Sequence, residues 1–114
     1  NRLSPPGDLI EIFYSYFEYW AVYVGDGYVV HVTDVVSVQG TRAVVKKELL
    51  TEVAAGCKYR VNNKHDGQRR VRSPEEIVQM ALAQVGQEWP YSLTRKTRKH
   101  FAMELRYGET ISEQ

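Results

Sequence analysis

At 114 residues, 43% apolar or aromatic and 25% charged, the chain suits a single domain over residues 1–114 with one core. No apolar run approaches the roughly 20 residues that span a bilayer, and the opening NRLSPPGDL lacks the apolar stretch of a signal peptide. A lone cysteine, Cys57, excludes an intrachain disulfide and any metal site built on several thiolates.

Residues 8–15, DLIEIFYS, alternate apolar and polar side chains and predict a strand. YWAVYVGDGYVVHV (19–32) gives two β-branched and aromatic runs joined by Gly25, Asp26 and Gly27, the signature of a hairpin. AVVKKELL (43–50) and KYRVNN (58–63) are further strand candidates, so a sheet of four to five antiparallel strands is expected. SPEEIVQMALAQVGQ then opens a helix: Ser73 caps it, Pro74 takes its first position and Glu76 completes a capping box. Ile77, Met80, Ala81 and Val85 share the face expected to pack on the sheet. A second helix, with Phe101, Ala102 and Leu105 inward, is expected to end near Gly108. Strands first and helices after make an α+β domain.

The net charge of +1 conceals an asymmetry: residues 1–34 carry Arg2 against five acids, whereas residues 35–114 carry 14 basic side chains against 9 acidic ones. Two basic clusters stand out, RRVR (Arg69, Arg70, Arg72) and RKTRK (Arg95, Lys96, Arg98, Lys99). The second sits where a helix begins, and cations there oppose the partial positive charge of the exposed N–H groups. His31, His65 and His100 lack ligand spacing, and no glycine-rich phosphate loop occurs, so no metal or cofactor is expected. GDG at 25–27 and NNKHD at 62–66 are accounted for by turn chemistry, with His65 expected to be exposed, and Trp20 and Trp89 by packing.

PGDLIEIF, YWAVYVGDGYVVHV, AVVKKELL, YRVNNKHD, VGQEWPYSL and KHFAMELRYG together resemble, in order and along almost the whole chain, the H-box/NC-box family of phospholipases A and acyltransferases. These are the HRAS-like suppressor proteins, related to lecithin retinol acyltransferase and NlpC-type peptidases. The resemblance implies a permuted papain-like fold in which a histidine on an early strand faces a cysteine at the start of a late helix. The family chemistry uses that cysteine as nucleophile, that histidine as its base and a second histidine to orient the first. On the pattern H-W-A-x-Y-x-G-D-G-Y-V-x-H, the first histidine falls on Tyr19 and the second on His31. On N-C-E-H-F, the nucleophile falls on Arg98, with Thr97 and Lys99 beside it.

Neither exchange preserves the chemistry. A guanidinium does not attack a carbonyl, and a phenol with its ordinary pKa near 10 is a poor base at neutral pH. Cys57 lies at the start of a different strand, where the family has no catalytic group. Replacing N-C-E by Thr97, Arg98 and Lys99 also turns a site that favours an anion into a cationic one. The expectation is a pseudoenzyme, inactive or strongly impaired, that binds a protein partner or an anionic phospholipid surface through Arg95, Lys96, Arg98 and Lys99, helped by Arg69, Arg70 and Arg72 if these share one side. RNA is the least favoured partner, since tyrosines in strand patterns belong to sheet faces.

Two alternatives stay open: an active thiol-dependent enzyme with displaced groups, and an H-box/NC-box protein of the kind some picornaviruses carry, acting on host factors. The family's loop after the second histidine is commonly longer than VTDVVSVQGTR, which weakens any acyl-chain contact inherited from it. Family members often continue into a membrane anchor, so YGETISEQ is expected to end either the core of an anchored protein or a naturally short member. The expected setting is cytoplasmic, at most peripheral to a membrane.

Overall fold

Contiguous apolar runs such as YWAVYV require a strand covered on both faces, and the fold supplies both covers. The computed structural model describes residues 5–89 and 94–108, with residues 94–97 traced as backbone. Six strands, β1 (Leu9–Phe13), β2 (Glu18–Gly25), β3 (Tyr28–Ser37), β4 (Gly40–Leu49), β5 (Lys58–Val61) and β6 (Glu88–Trp89), form one antiparallel sheet in the order β5-β1-β2-β3-β4-β6. Three helices, α1 (Leu50–Ala54), α2 (Pro74–Gln84) and α3 (Thr94–Tyr107), complete the α+β architecture.

Leu9, Trp20, Val22, Val30, Val32, Ala43 and Val45 form one face of the sheet and pack with Ile77 and Ala81 of α2 and Phe101, Ala102 and Leu105 of α3. Ile10, Ile12, Tyr19, Ala21, Tyr23 and Val29 form the other face, closed by Leu50 and Ala54 of α1. Glu11 is buried in β1, where Asn62 Nδ2 and Arg60 Nε donate to its Oε1 at 2.8 and 3.1 Å. These bonds replace the water its carboxylate has lost.

The hairpin at Gly25–Gly27 forms as predicted, with Asp26 at φ 56 between two glycines in the left-handed region. Ser73 caps α2, its Oγ accepting from Glu76 N at 3.2 Å, and Pro74 starts the helix. The sheet has six strands rather than four or five, because the residues after α2 return as the short β6 beside Ala43 and Val44 of β4. Leu50 starts α1 instead of ending a strand. Of the four α2 positions expected to face the sheet, Ile77 and Ala81 are buried, while Met80 is 37% exposed and Val85, just past the end of the helix at Gln84, is 41% exposed. His65 is half-buried rather than exposed, its ring edge-on to Tyr107 with centroids 6.0 Å apart.

The last turn of α3 is tied to the loop ahead of α2. Arg106 donates to both Asp66 oxygens at 3.0 and 2.6 Å and to Gly7 O at 2.7 Å, and Tyr107 OH donates to Asp66 at 2.7 Å. This network fixes where the other end of α3 meets the sheet.

Candidate functional site

Backbone pairing of β2 with β3 runs from Val22↔Val30 to Gly25↔Tyr28, and among the described residues no pair continues it toward Glu18 and Ser37. The two strands therefore part, and carbonyls of β3 that would face a neighbouring N–H need other donors. Val32 O finds two: the Tyr19 hydroxyl at 2.6 Å and Arg98 Nε at 3.2 Å. Tyr19 comes from β2, His31 from β3 and Arg98 from the second turn of α3. The structure thus brings together the three side chains that the resemblance was expected to place at the catalytic positions.

All three are buried. The Tyr19 hydroxyl lies 2.8 Å from His31 Nδ1, and His31 Nε2 lies 2.7 Å from Glu48 Oε1. Burial lowers the pKa of His31 more than the Glu48 carboxylate restores it, which favours the neutral ring. In that form Nε2–H donates to Glu48, Nδ1 is an acceptor, and the single Tyr19 proton lies between Nδ1 and Val32 O. Burial pushes the Tyr19 phenol up to about 12, against the opposing pull of Arg98, so its oxygen keeps its proton at neutral pH.

The guanidinium of Arg98 lies over the Tyr19 ring, 4.4 Å from its centroid, with Phe17 on another side at 5.7 Å. Its Nη2 reaches Asp34 Oδ2 at 3.4 Å. Stacking, the Val32 carbonyl and a nearby carboxylate are the three ways a buried guanidinium is stabilised, and Arg98 uses all of them. Beside this cluster is a polar cavity of about 300 Å³ lined by Tyr14, Tyr19, His31, Thr33, Glu48 and Val53, among others.

The remaining sequence candidates are dispersed. Lys99 sits with its Nζ 5.7 Å from the Trp20 ring centroid. Arg95 and Lys96 belong to the first turn of α3, and their side chains lie outside the described residues. Arg72 is at the opposite end of that helix, where its N–H donates to Arg106 O at 3.0 Å and its Nη1 lies 2.8 Å from Met80 Sδ. Eight residues of helix, about 12 Å along the axis, separate Arg106 from Arg98. Arg69 and Arg70, exposed just ahead of Arg72, follow the turn that Arg106 binds through Asp66. The structure therefore splits the basic residues into two groups instead of gathering them on one side.

Cys57 is half-buried just ahead of β5, and β1 and β2 lie between that strand and the one bearing His31. Glu48 and Asp34, the partners of His31 and Arg98, were not anticipated. The cue for Glu48 is register: His31 pairs with Lys46, so residues two apart in β4 alternate onto the same face.

Sequence comparison agrees with this architecture. The family model described as lecithin retinol acyltransferase matches residues 2–111. The chain belongs to that family. It is 48% identical over 120 residues to Phospholipase A and acyltransferase 3 of Homo sapiens, covering 96% of this chain and 74% of that protein. It is 47% identical to Phospholipase A and acyltransferase 2 of Homo sapiens, covering 95% and 74%, and 41% identical to Phospholipase A and acyltransferase 1 of Mus musculus, covering 96% and 71%. No helix among the described residues is long and apolar enough to cross a membrane.

Proposed function

We propose that this member of the lecithin retinol acyltransferase family is catalytically silent or strongly impaired and acts by binding, with an anionic phospholipid surface as the favoured ligand and an acidic protein surface as the other. The observation that carries this is Arg98: at the start of α3, where the resemblance puts a thiolate, a buried guanidinium stacks on Tyr19 and bonds Val32 O. A thiolate nucleophile there would need an adjacent basic imidazole. The position of that imidazole is Tyr19, a phenol that holds its proton to about 12. His31 is in turn engaged by Tyr19 on one nitrogen and Glu48 on the other.

A relocated nucleophile is disfavoured by distance. With strands about 4.8 Å apart, β5 and β3 are separated by three spacings, about 14 Å, too far for His31 to take a proton from Cys57. The cavity next to His31 keeps room for a small polar ligand, so silence toward esters does not require an empty role for the cleft.

The test is incubation with a phosphatidylcholine or an activated ester, scoring fatty-acid release and covalent acyl-protein. No turnover above the blank is expected from this chain or from Cys57→Ala. Turnover well above background, lost in Cys57→Ala or retained without it, would overturn the proposal. The double substitution Tyr19→His with Arg98→Cys should acquire a thiol that captures an acyl or alkylating probe faster than Cys57 does.

A further inference from the structure

Turns at one end of the sheet are unusually apolar. In the β1-β2-β3-β4 meander, the β1–β2 turn (14–17) and the β3–β4 turn (38–39) fall at the same end. There Tyr16 is 89% exposed, Val36 78% and Val38 100%. Turn tips ordinarily carry Gly, Asn, Asp or Ser, because their backbone and side chains must be solvated. The β3–β4 hairpin also outruns its described neighbours: β2 begins at Glu18, and among the described residues β6 pairs with β4 only at Ala43 and Val44, so no described strand flanks the segment around Val36 and Val38. A projecting, apolar hairpin is an aggregation hazard unless something covers it. The tip is nevertheless well formed, Ser37 Oγ donating to Gly40 O at 3.2 Å and accepting from Gln39 N at 3.3 Å.

The start of α3 lies at this same end, since Arg98 contacts Phe17 of the first turn region and Val32 and Asp34 of β3. Residues 90–103 contain Arg95, Lys96, Arg98 and Lys99 and no acid. Of the nearby carboxylates, Asp34 pairs with Arg98 at 3.4 Å and Glu88 with Arg42 at 2.5 Å, and Glu18 at the start of β2 is within electrostatic reach of Lys99. An apolar tip beside a basic helix start suits a surface that is hydrocarbon within and anionic at its rim.

We infer that the chain docks on an anionic phospholipid bilayer by this end, inserting Val36, Val38 and Tyr16 among the lipids while the first turns of α3 meet the headgroups. The assignment rests on the binding role proposed above and adds which surface engages and in what orientation. Valine side chains supply apolar area for insertion, and each basic residue near an anionic leaflet adds attraction that salt screens. Arg69, Arg70 and Arg72, at the far end of α3, take no part.

Co-sedimentation with diether phosphatidylcholine vesicles, with and without diether phosphatidylserine, isolates docking from catalysis because these lipids carry no acyl ester to cleave. Binding to the mixed vesicles, weakened by salt, is expected. Val36→Asp with Val38→Asp should weaken it about tenfold or more with an unchanged melting temperature, since both side chains are solvated in the free protein. Arg95→Ala with Lys96→Ala should weaken binding and flatten its salt dependence, whereas Arg69→Ala with Arg70→Ala should leave it unaltered. In Val38→Trp, mixed vesicles should shift the emission to the blue and brominated lipid should quench it.

Mixed-vesicle binding that ignores the valine substitutions would overturn the docking surface and leave the membrane role intact. No vesicle binding at all would overturn both and leave the acidic protein partner. A dimer broken by Val36→Asp with Val38→Asp, without vesicle binding, would assign the tip to a second copy and refute the inference.

Discussion

Removing the Arg98 guanidinium measures what it holds at the head of α3. In Arg98→Ala the stack on Tyr19, 4.4 Å from the ring centroid, is lost, at about 1 kcal/mol for a desolvated cation on an aromatic face. The Nε bond to Val32 O contributes about 1 kcal/mol, and burial of the aliphatic stem about as much again. Asp34 adds no more than about 0.5 kcal/mol, because the pair is long at 3.4 Å and the carboxylate is one-third exposed to screening solvent. Against these stand the desolvation of the guanidinium and its repulsion by the helix start, together about 1 kcal/mol. A net loss of about 2 kcal/mol is expected, roughly 8 °C in melting temperature for a chain of this size. Urea unfolding followed by circular dichroism reads it directly. Arg98→Lys should recover less than half, since an ammonium cannot stack and bond in the same plane. A cycle with Tyr19→Leu should show coupling of about 1 kcal/mol. If Arg98→Ala lies within about 0.5 kcal/mol of the parent, or is more stable, Arg98 is not what closes the gap between β2 and β3.

His31 gives a pH signature. Its folded pKa is depressed by burial, so below about 6.5 the unfolded chain binds a proton that the folded one refuses, and stability falls as pH drops from there toward the folded pKa. Urea midpoints between pH 7.5 and 5.5 should decline less in His31→Gln, and equal slopes would contradict a neutral buried ring. The phenols of Tyr19 and Tyr107, each raised to about 12, act at the other extreme: above about pH 10 the unfolded chain ionises first and stability is lost. Absorbance titration should show the late step shrinking in Tyr19→Phe. Arg106→Ala should cost about 3 kcal/mol in chemical unfolding, because Gly7 O loses its buried donor and the Asp66 fork is broken. Ser73→Ala, which removes the cap on Glu76 N, should cost about 1 kcal/mol.

Local rules made much of this molecule legible. Gly25-Asp26-Gly27 between aromatic and β-branched runs fixes the hairpin, because glycine and aspartate readily accept the positive φ values found there. Ser73 and Pro74 mark the start of α2, and Phe101, Ala102 and Leu105 mark the inward side of α3, since a cap and a helical period are written within a dozen residues. Order and spacing of the family blocks likewise single out Tyr19, His31 and Arg98.

What spans longer separations was not legible. The two-residue β6 has too little sequence to carry a period, and exists because β4 offers Ala43 and Val44 an open edge. Arg69, Arg70 and Arg72 could join the other basic residues only if both clusters lay at one end of α3, and the Arg106–Asp66 pair puts them at the other. Glu48 and Asp34 became partners of His31 and Arg98 through strand register and helix placement, which depend on residues 17 and 64 positions apart in the chain. Sequence by itself determined which chemical groups are present at the positions that the family resemblance marks as catalytic, a phenol and a guanidinium. Only the tertiary structure decided what they do there, because a carbonyl left without a strand partner and a ring within stacking distance exist only once β2, β3 and α3 have packed.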